Sequence, residues 1–449
     1  MKQPKQRKKQ SSKTAAKSSH QRKMTSTNIE KLTVQQLMDW KADVWMMSPP
    51  CQPHTRQHDT LLDDTQDDRS SSFYHLCKLL SLENPDDNRH TTSASSSAAL
   101  ASPQSLPASA LPSLILLENV IGFEQSRSFR TYCHTLTQRQ YRLAHFHLQP
   151  TQVGLPNDRP RHYTVAILQG RIRPPKPQTL NTLPVDRINE KLLRYFTSGS
   201  NENGNSSIRN EKSSLTTIHH ALPELGISPL EPDNETASLL PPISVFLDEN
   251  NVNNYDDDNH SANTPALTQS DLEIPPSLWE RNAAWCFDIV SPTSRRSACF
   301  TSGYGRFVRG TGSILYTGSV VGHAGGVTST STNDQKDTTA TPATFLTLLP
   351  PEERVFSPDW AQGIQRTDVR YFSGMELARL FGFSKSFQFP TSSPHQQISL
   401  DSGTGRNHHL SEGVTMKQQW KLMGNSINVR VAARLVELGL QLVSLEDAD

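Results

Sequence analysis

The chain has 449 residues, of which 34% are apolar and 20% charged, with a net charge of +1. That length holds two or three domains of ordinary size, but the low apolar share predicts a globular part smaller than the length allows. Five cysteines (Cys51, Cys77, Cys133, Cys286, Cys299) are an odd number, far apart and never in a CxxC or Cys/His spacing, so neither a disulfide framework nor a zinc site is indicated, no metal is expected, and a reduced intracellular protein is the natural reading. No apolar run approaches the ~20 residues of a membrane span, and no apolar segment follows the basic N-terminus as a secretory signal requires. A soluble protein without a membrane partner is expected.

The first 23 residues carry nine Lys or Arg and no Asp or Glu. This basic arm, residues 1–25, reads as disordered: either a solvated tail or a localisation or polyanion-binding patch whose affinity would be sequence-blind and salt-sensitive. Three strand-like runs follow, each meeting a chemically distinctive turn. Ala42-Asp43-Val44-Trp45-Met46-Met47 ends at Ser48-Pro49-Pro50-Cys51-Gln52-Pro53; Ser113-Leu114-Ile115-Leu116-Leu117 ends at Glu118-Asn119-Val120; and Arg161 to Leu168 follows Asn157-Asp158-Arg159-Pro160. Nearly continuous apolar runs of this kind suit buried strands of a largely parallel sheet with its reactive groups along one edge. Low-complexity stretches at 81–112, 198–270, 323–342 and 391–413 read as loops or disordered insertions. Tyr132, His145 and His147 read as packing positions. Gly424-Asn425-Ser426 leads into a helix over 427–442, with Ile427, Val431, Leu435 and Leu438 at helical spacing.

A thiol, a carboxyl group and arginines in such turns suit one demanding reaction. Carbon 5 of cytosine does not take a methyl group unaided; a thiolate must first add to carbon 6 while a carboxylic acid supports N3. Such a site needs a Cys of lowered pKa, a Glu facing the base and Arg side chains that stabilise thiolate and base. Each turn alone is weak and reads equally as a structural strand end. Together, Ser48-Pro49-Pro50-Cys51-Gln52-Pro53, Glu118-Asn119-Val120, Arg159-Pro160-Arg161 and Gly424-Asn425-Ser426 occur in the order found in cytosine-C5 methyltransferases, and the chain resembles that family.

Arg295-Arg296-Ser297-Ala298-Cys299-Phe300-Thr301-Ser302-Gly303-Tyr304 resembles the Cys-Phe-Thr-x-x-Tyr signature of the branch that methylates cytosine 38 of aspartate tRNA. Asp288 to Thr293, Val369-Arg370-Tyr371-Phe372 and Leu380-Phe381-Gly382-Phe383 also fit. The resemblance implies a Rossmann-like class I α/β methyltransferase sheet, a small target-recognition domain and disordered insertions. Its divisions would be 1–25, basic arm; 26–196, partial catalytic domain; 197–270, mostly disordered insertion; 271–390, target-recognition domain; 391–413, insertion; and 414–449, return to the catalytic domain. It implies Cys51 as nucleophile, Glu118 on N3, and Arg159 and Arg161 positioning a flipped base, Arg161 more directly. S-adenosylmethionine would lie against Ile29, Glu30, Ser48, Asn425 and Ser426. Cys299 would face the active-site side or be a buried structural cysteine. His54 stands where the family usually has Phe, either as a ring-for-ring replacement or as a titratable neighbour of the thiol. The expected partner is tRNA of aspartate type, with DNA as the alternative, acted on by a monomer in cytoplasm or nucleus.

One part of the family pattern is missing. The sequence contains no Phe-Ser-Gly-x-Gly-Gly turn ahead of Thr27-Asn28-Ile29-Glu30, the point where the resemblance begins. An N-terminally truncated sheet and an incomplete cofactor pocket are therefore expected. Three readings stay open: a gene product whose true N-terminus differs, a catalytically silent RNA-binding relative, or a pocket completed by another chain.

Overall fold

The computed structural model describes residues 28–50, 68–82, 105–169, 195–196, 217–229, 239–248, 269–281, 283–318, 364–390 and 413–445. The basic arm, Cys51, His54, the 323–342 insertion and nearly all of the 391–413 insertion lie outside them.

Helix α1 (Val34–Trp40) starts at Thr33, whose hydroxyl accepts from the Gln36 N–H while the Gln36 side chain accepts from the Thr33 N–H, a reciprocal cap that satisfies two otherwise orphaned donors. Strand β1 (Val44–Met47) follows, then α2 (Ser71–Leu80), β2 (Leu114–Asn119), α3 (Arg127–Gln138), β3 (Tyr141–Leu148), β4 (Arg161–Leu168) and the short β5 (Ile218–His219). These strands form one sheet in the order β1-β2-β4-β3-β5. The three strands read from sequence are β1, β2 and β4, although β2 runs on through Glu118 and Asn119 instead of stopping before them.

The sheet is mixed, which corrects the expectation of a largely parallel one. Pairs β1–β2 and β3–β5 are parallel, whereas β4 runs antiparallel to both β2 and β3. The cause is local: residues 149–160, which join β3 to β4, hold one short turn, Pro150–Val153, and no helix of the kind that carries the crossover of a parallel pair. The consequence is functional, because antiparallel pairing puts the start of β4 beside the end of β2. Arg161 and Glu118 thereby reach the same sheet edge.

Buried strands alternate between two covered faces. Ile115, Leu117, Ala166 and Leu168 pack with Leu76, Leu80, Phe129 and Tyr132 of α2 and α3. Leu114, Leu116, Val165 and Ile167 pack with Val431, Leu435, Leu438 and Leu442 of the C-terminal helix, which spans Val429–Leu445 and lies where the helical spacing placed it. Each such aliphatic side chain contributes roughly 1.5–3 kcal/mol by leaving water. The helix comes close at Gly439, where a Cβ would stand 2.4 Å from a Leu114 methyl. Tyr132 and His145 are fully buried, as packing positions should be.

A second, three-stranded sheet joins β6 (Asp288–Val290), β7 (Ser313–Tyr316) and β8 (Val369–Arg370). Around it lie α4 (Pro276–Trp279), α5 (Gly374–Leu380) and α6 (Met416–Gly424), which make the C-terminal helix α7. Its core is aromatic: Phe300, Tyr304, Phe372, Phe381 and Trp420 are buried together, and the Trp420 indole N–H donates to the Phe372 carbonyl at 2.8 Å. Glu376, fully buried at the start of α5, accepts two 2.8 Å bonds from Arg370.

Two stretches expected as insertions contribute packed pieces. Leu106 and Leu111, from the 81–112 stretch, are buried against α2, with the Leu106 N–H donating to the Leu79 carbonyl at 2.8 Å. Within 197–270, Leu222, Leu225 and Ile227 join the core under α7, and Ile243, Phe246 and Leu247 join the aromatic core. Isolated apolar residues in polar surroundings carry no periodicity, so composition alone hid them.

Candidate active site

At the edge where β1 and β2 end and β4 begins, four segments converge. Glu118, 5% exposed near the end of β2, accepts from the Ser48 hydroxyl at 2.5 Å and pairs with Arg161 Nε at 3.2 Å. The loop after β1 is tied to the same strand through Asn119, whose amide donates to the Pro49 carbonyl at 3.5 Å. Cys51, two residues beyond Pro49, lies outside the described residues. Tyr163, directly opposite Glu118 on β4, is buried, and burial together with the Glu118 charge pushes its phenol above the ordinary range. It is a packing group there, not an acid.

Arg159 and Arg161, alike in sequence, are placed differently. Arg161 spans the site, reaching Glu118 on one side and, at 3.9 Å, Cys299 Sγ on the other. Arg159 is buried and committed to the protein: it donates to the carbonyls of Phe300 (2.9 Å), Gly424 (3.1 Å) and Ser426 (2.8 Å), and approaches Cys299 Sγ at 3.6 Å. Its guanidinium also lies over the Phe381 ring, 5.1 Å from the centroid, a cation–π contact. Burial, and then the Arg161 charge, hold it below its ordinary pKa. Five donors in a rigid fork suit such bracketing, which Lys could not reproduce.

The loop before β4 is fastened to the second sheet by further bonds. Asp158 N–H donates to the Ser297 carbonyl at 2.9 Å, the Ser297 hydroxyl to the Pro156 carbonyl at 2.8 Å, and Arg296 forks onto the Asp158 carboxylate at 2.8–3.1 Å. Burial raises the Asp158 carboxyl while Arg296 opposes it. Residues Ser297 to Phe300 were visible in the sequence as a motif; that they hold both arginine-bearing residues in place was not.

Of the remaining expected residues, Ile29 is half-buried against the α2–α3 core, and Glu30 is exposed, accepting from the Ser71 hydroxyl. Ser426 meets Arg159 through its carbonyl, and its hydroxyl donates to the Ile427 carbonyl at 3.2 Å. Asn425 closes α6 as its C-cap. Sequence reasoning missed one grouping altogether: Glu124, His147 and His162 gather at the opposite face of the sheet. They are scattered in sequence and belong to no spaced motif.

A mixed α/β sheet whose polar groups gather beyond the ends of its strands is the frame of a Rossmann-like methyltransferase. Residues 7–438 match the family model described as C-5 cytosine-specific DNA methylase, and the chain belongs to that family. It is 28% identical over 420 residues to a Bos taurus tRNA (cytosine(38)-C(5))-methyltransferase, covering 92% of this chain and 86% of the relative. A Dictyostelium discoideum DNA (cytosine-5)-methyltransferase is 27% identical over 419 residues, covering 92% and 80%. Among solved structures, a Spodoptera frugiperda DNMT2 mutant superposes with a TM-score of 0.49 at 22% identity, covering 92% of this chain and 84% of that one.

Proposed function

We propose that this chain methylates carbon 5 of cytosine 38 in the anticodon loop of a tRNA of aspartate type, with S-adenosylmethionine as donor and Cys51 as covalent nucleophile. The observation that carries the proposal is Glu118, withdrawn from solvent yet held by Ser48 at 2.5 Å and Arg161 at 3.2 Å on the edge toward which the Pro-Pro-Cys turn leads. In this reading the Cys51 thiolate adds to carbon 6 while Glu118 donates a hydrogen bond or proton to N3, so the electron pair displaced toward the ring makes carbon 5 nucleophilic. After carbon 5 has gained the methyl group, loss of its proton to a base and expulsion of Cys51 from carbon 6 restore the aromatic ring. Arg161 lies where it can contact the base. Arg159 acts from behind as a positioning residue.

The residues present fit the donor's adenosine end: Ile29 offers an apolar surface and Glu30 an exposed carboxylate able to accept hydrogen bonds. When bound, S-adenosylmethionine supplies an electrophilic methyl group; Ser48, Asn425 and Ser426 would border it. Residues 26–196 and 414–449 would form the catalytic part, and 271–390 the target-recognition part.

Calorimetric titration of the purified chain with S-adenosylmethionine, with labelled methyl transfer to aspartate tRNA transcripts carrying cytosine or uridine at position 38, tests the proposal. Saturable binding, with transfer confined to the cytosine transcript and abolished by Cys51→Ala, is expected. Absence of binding at millimolar donor would overturn the enzymatic reading. It would leave the second reading, an RNA-binding relative without turnover. Transfer to duplex DNA in preference to tRNA would assign the other substrate class.

A further inference from the structure

On the sheet face opposite Glu118, two imidazoles and a carboxylate point at one another. Glu124 lies in the turn Phe123–Gln125 that follows β2, while His147 on β3 and His162 on β4 are direct register partners. One ligand atom from each lies within 4.8 Å of the others. His147 Nε2 stands 3.4 Å from one Glu124 oxygen and His162 Nδ1 3.7 Å from the second.

These separations exceed the roughly 2.7–3.2 Å of a hydrogen bond. Both ring nitrogens are buried without a hydrogen-bond partner among the described residues. Each faces a Glu124 oxygen at ion-pair distance only, and a buried polar atom without a close partner is costly. An ion that holds N and O donors at about 2.0–2.2 Å spaces them about 3.0–3.5 Å apart, so three ligand atoms that lie within 4.8 Å of one another would draw together around it.

The surroundings are those of a built site. The Gly122 N–H donates to Glu124 Oε2 at 2.8 Å, and His162 Nε2 lies 3.2 Å from the Thr164 hydroxyl. Outer contacts of this kind fix the orientation of metal ligands. The His162 side chain is fully enclosed, with the Phe123 and Phe129 rings 6.2 and 5.1 Å away, while Glu124 and His147 retain 12% exposure each. The exposed His220 ring, 5.4 Å from that of His147, marks the solvent side.

We propose that Glu124, His147 and His162 bind one divalent transition-metal ion of zinc type, completed by water or His220. Two imidazoles and a carboxylate select such an ion over calcium or magnesium, which take oxygen ligands. The ion would be structural. It would pin the turn six residues after Glu118 to the strand residue next to Arg161, and so hold together the two elements that carry the Glu118–Arg161 pair.

The test is to strip the full chain with a chelator and titrate it with Zn2+ by calorimetry and with Co2+ by visible absorption. One equivalent should bind, with a cobalt ligand-field band, and Zn2+ should raise the unfolding midpoint. Glu124→Gln and His147→Asn, at the partly exposed ligands, should each weaken binding by about tenfold or more and remove the Zn2+-induced shift. X-ray absorption of the zinc-loaded wild type tests the site without any variant: a nitrogen and oxygen shell with two imidazoles supports it. No saturable binding, undiminished binding in both variants, or sulfur among the ligands would overturn the proposal, the last two placing the ion elsewhere in a chain with 16 histidines and five cysteines.

Discussion

Glu118 combines low exposure with two firm partners. Arg161 and Ser48 each hold a carboxyl oxygen, while an acid that supports N3 must at some point carry the proton. Glu118→Gln keeps the shape and the Ser48 contact but delivers no proton. Single-turnover methyl transfer should therefore slow by about 10²–10⁴-fold, with tRNA affinity in filter binding nearly unchanged; an unaltered rate would remove Glu118 from the chemistry. Two cysteines away from the site, Cys77 and Cys133, are inert. Burial pushes Cys77 and Cys133 up to about 12, the former also feeling Cys133. At pH 8 each is roughly one part in 10⁴ thiolate, so iodoacetamide followed by peptide mapping should leave both unlabelled in the native chain and label both in guanidinium. Because these folded values are raised, the associated stability is present below about pH 9 and is lost as pH rises toward 12; the denaturation midpoint should fall over that window. That the Ser-Pro-Pro and Glu-Asn-Val segments lie at neighbouring strand ends was legible because each adjoins an apolar run. The division of labour between Arg159 and Arg161 was not, because the carbonyls that claim Arg159 lie 141 to 267 positions away in sequence.

Among the elements, apolar runs revealed β1, β2, β4 and α7, and nothing in those runs told the direction of β4. Direction goes with the connection before it, which holds a short turn and no crossover helix, and it brings Arg161 to Glu118. Gly424 shows how far a motif can conceal a packing demand. A Cβ on it would stand 2.1 Å from the Ser302 nitrogen and the Thr301 carbonyl carbon, backbone atoms that cannot swing aside. Gly424→Ala should therefore force α6 away from the Cys-Phe-Thr segment and lower the urea midpoint by an amount worth about 1–3 kcal/mol, where an Ala in an unobstructed helix would cost nothing. Strand β1 is the weak element. Among the described residues it pairs only with β2, and Val44 and Met46 are exposed. Its amides should exchange with deuterium at least about tenfold faster than those of β2 and β4, which are paired on both sides; equal protection would mean that β1 has a further partner in solution.

At the scale of the whole molecule, the two sheets meet around the loop 156–161, where Arg159 is bonded, and again where the Val429 N–H donates to the Phe381 carbonyl at 2.9 Å. The family resemblance put Arg159 and Ser426 in one site and left Cys299 either facing it or structural; the fold joins the three between β4, the segment ahead of β7 and the turn before α7. Arg159→Ala would strand the carbonyls of Phe300, Gly424 and Ser426 and empty the space over Phe381. Loss of one partner from a buried charged network costs about 3–5 kcal/mol, much of it concentrated where the sheets join. The expected result is therefore a change in cooperativity as well as in midpoint. Three of the six tryptophans, Trp279, Trp285 and Trp420, lie around the aromatic core, so fluorescence should lose part of its signal at lower urea than far-ultraviolet dichroism, which follows both sheets and α7, whereas the wild-type probes should coincide. Arg159→Lys, retaining charge without the fork, should fall between them. Coincident transitions in Arg159→Ala with an unshifted midpoint would mean that the sheets are joined by other contacts, and that Arg159 is free to serve the base.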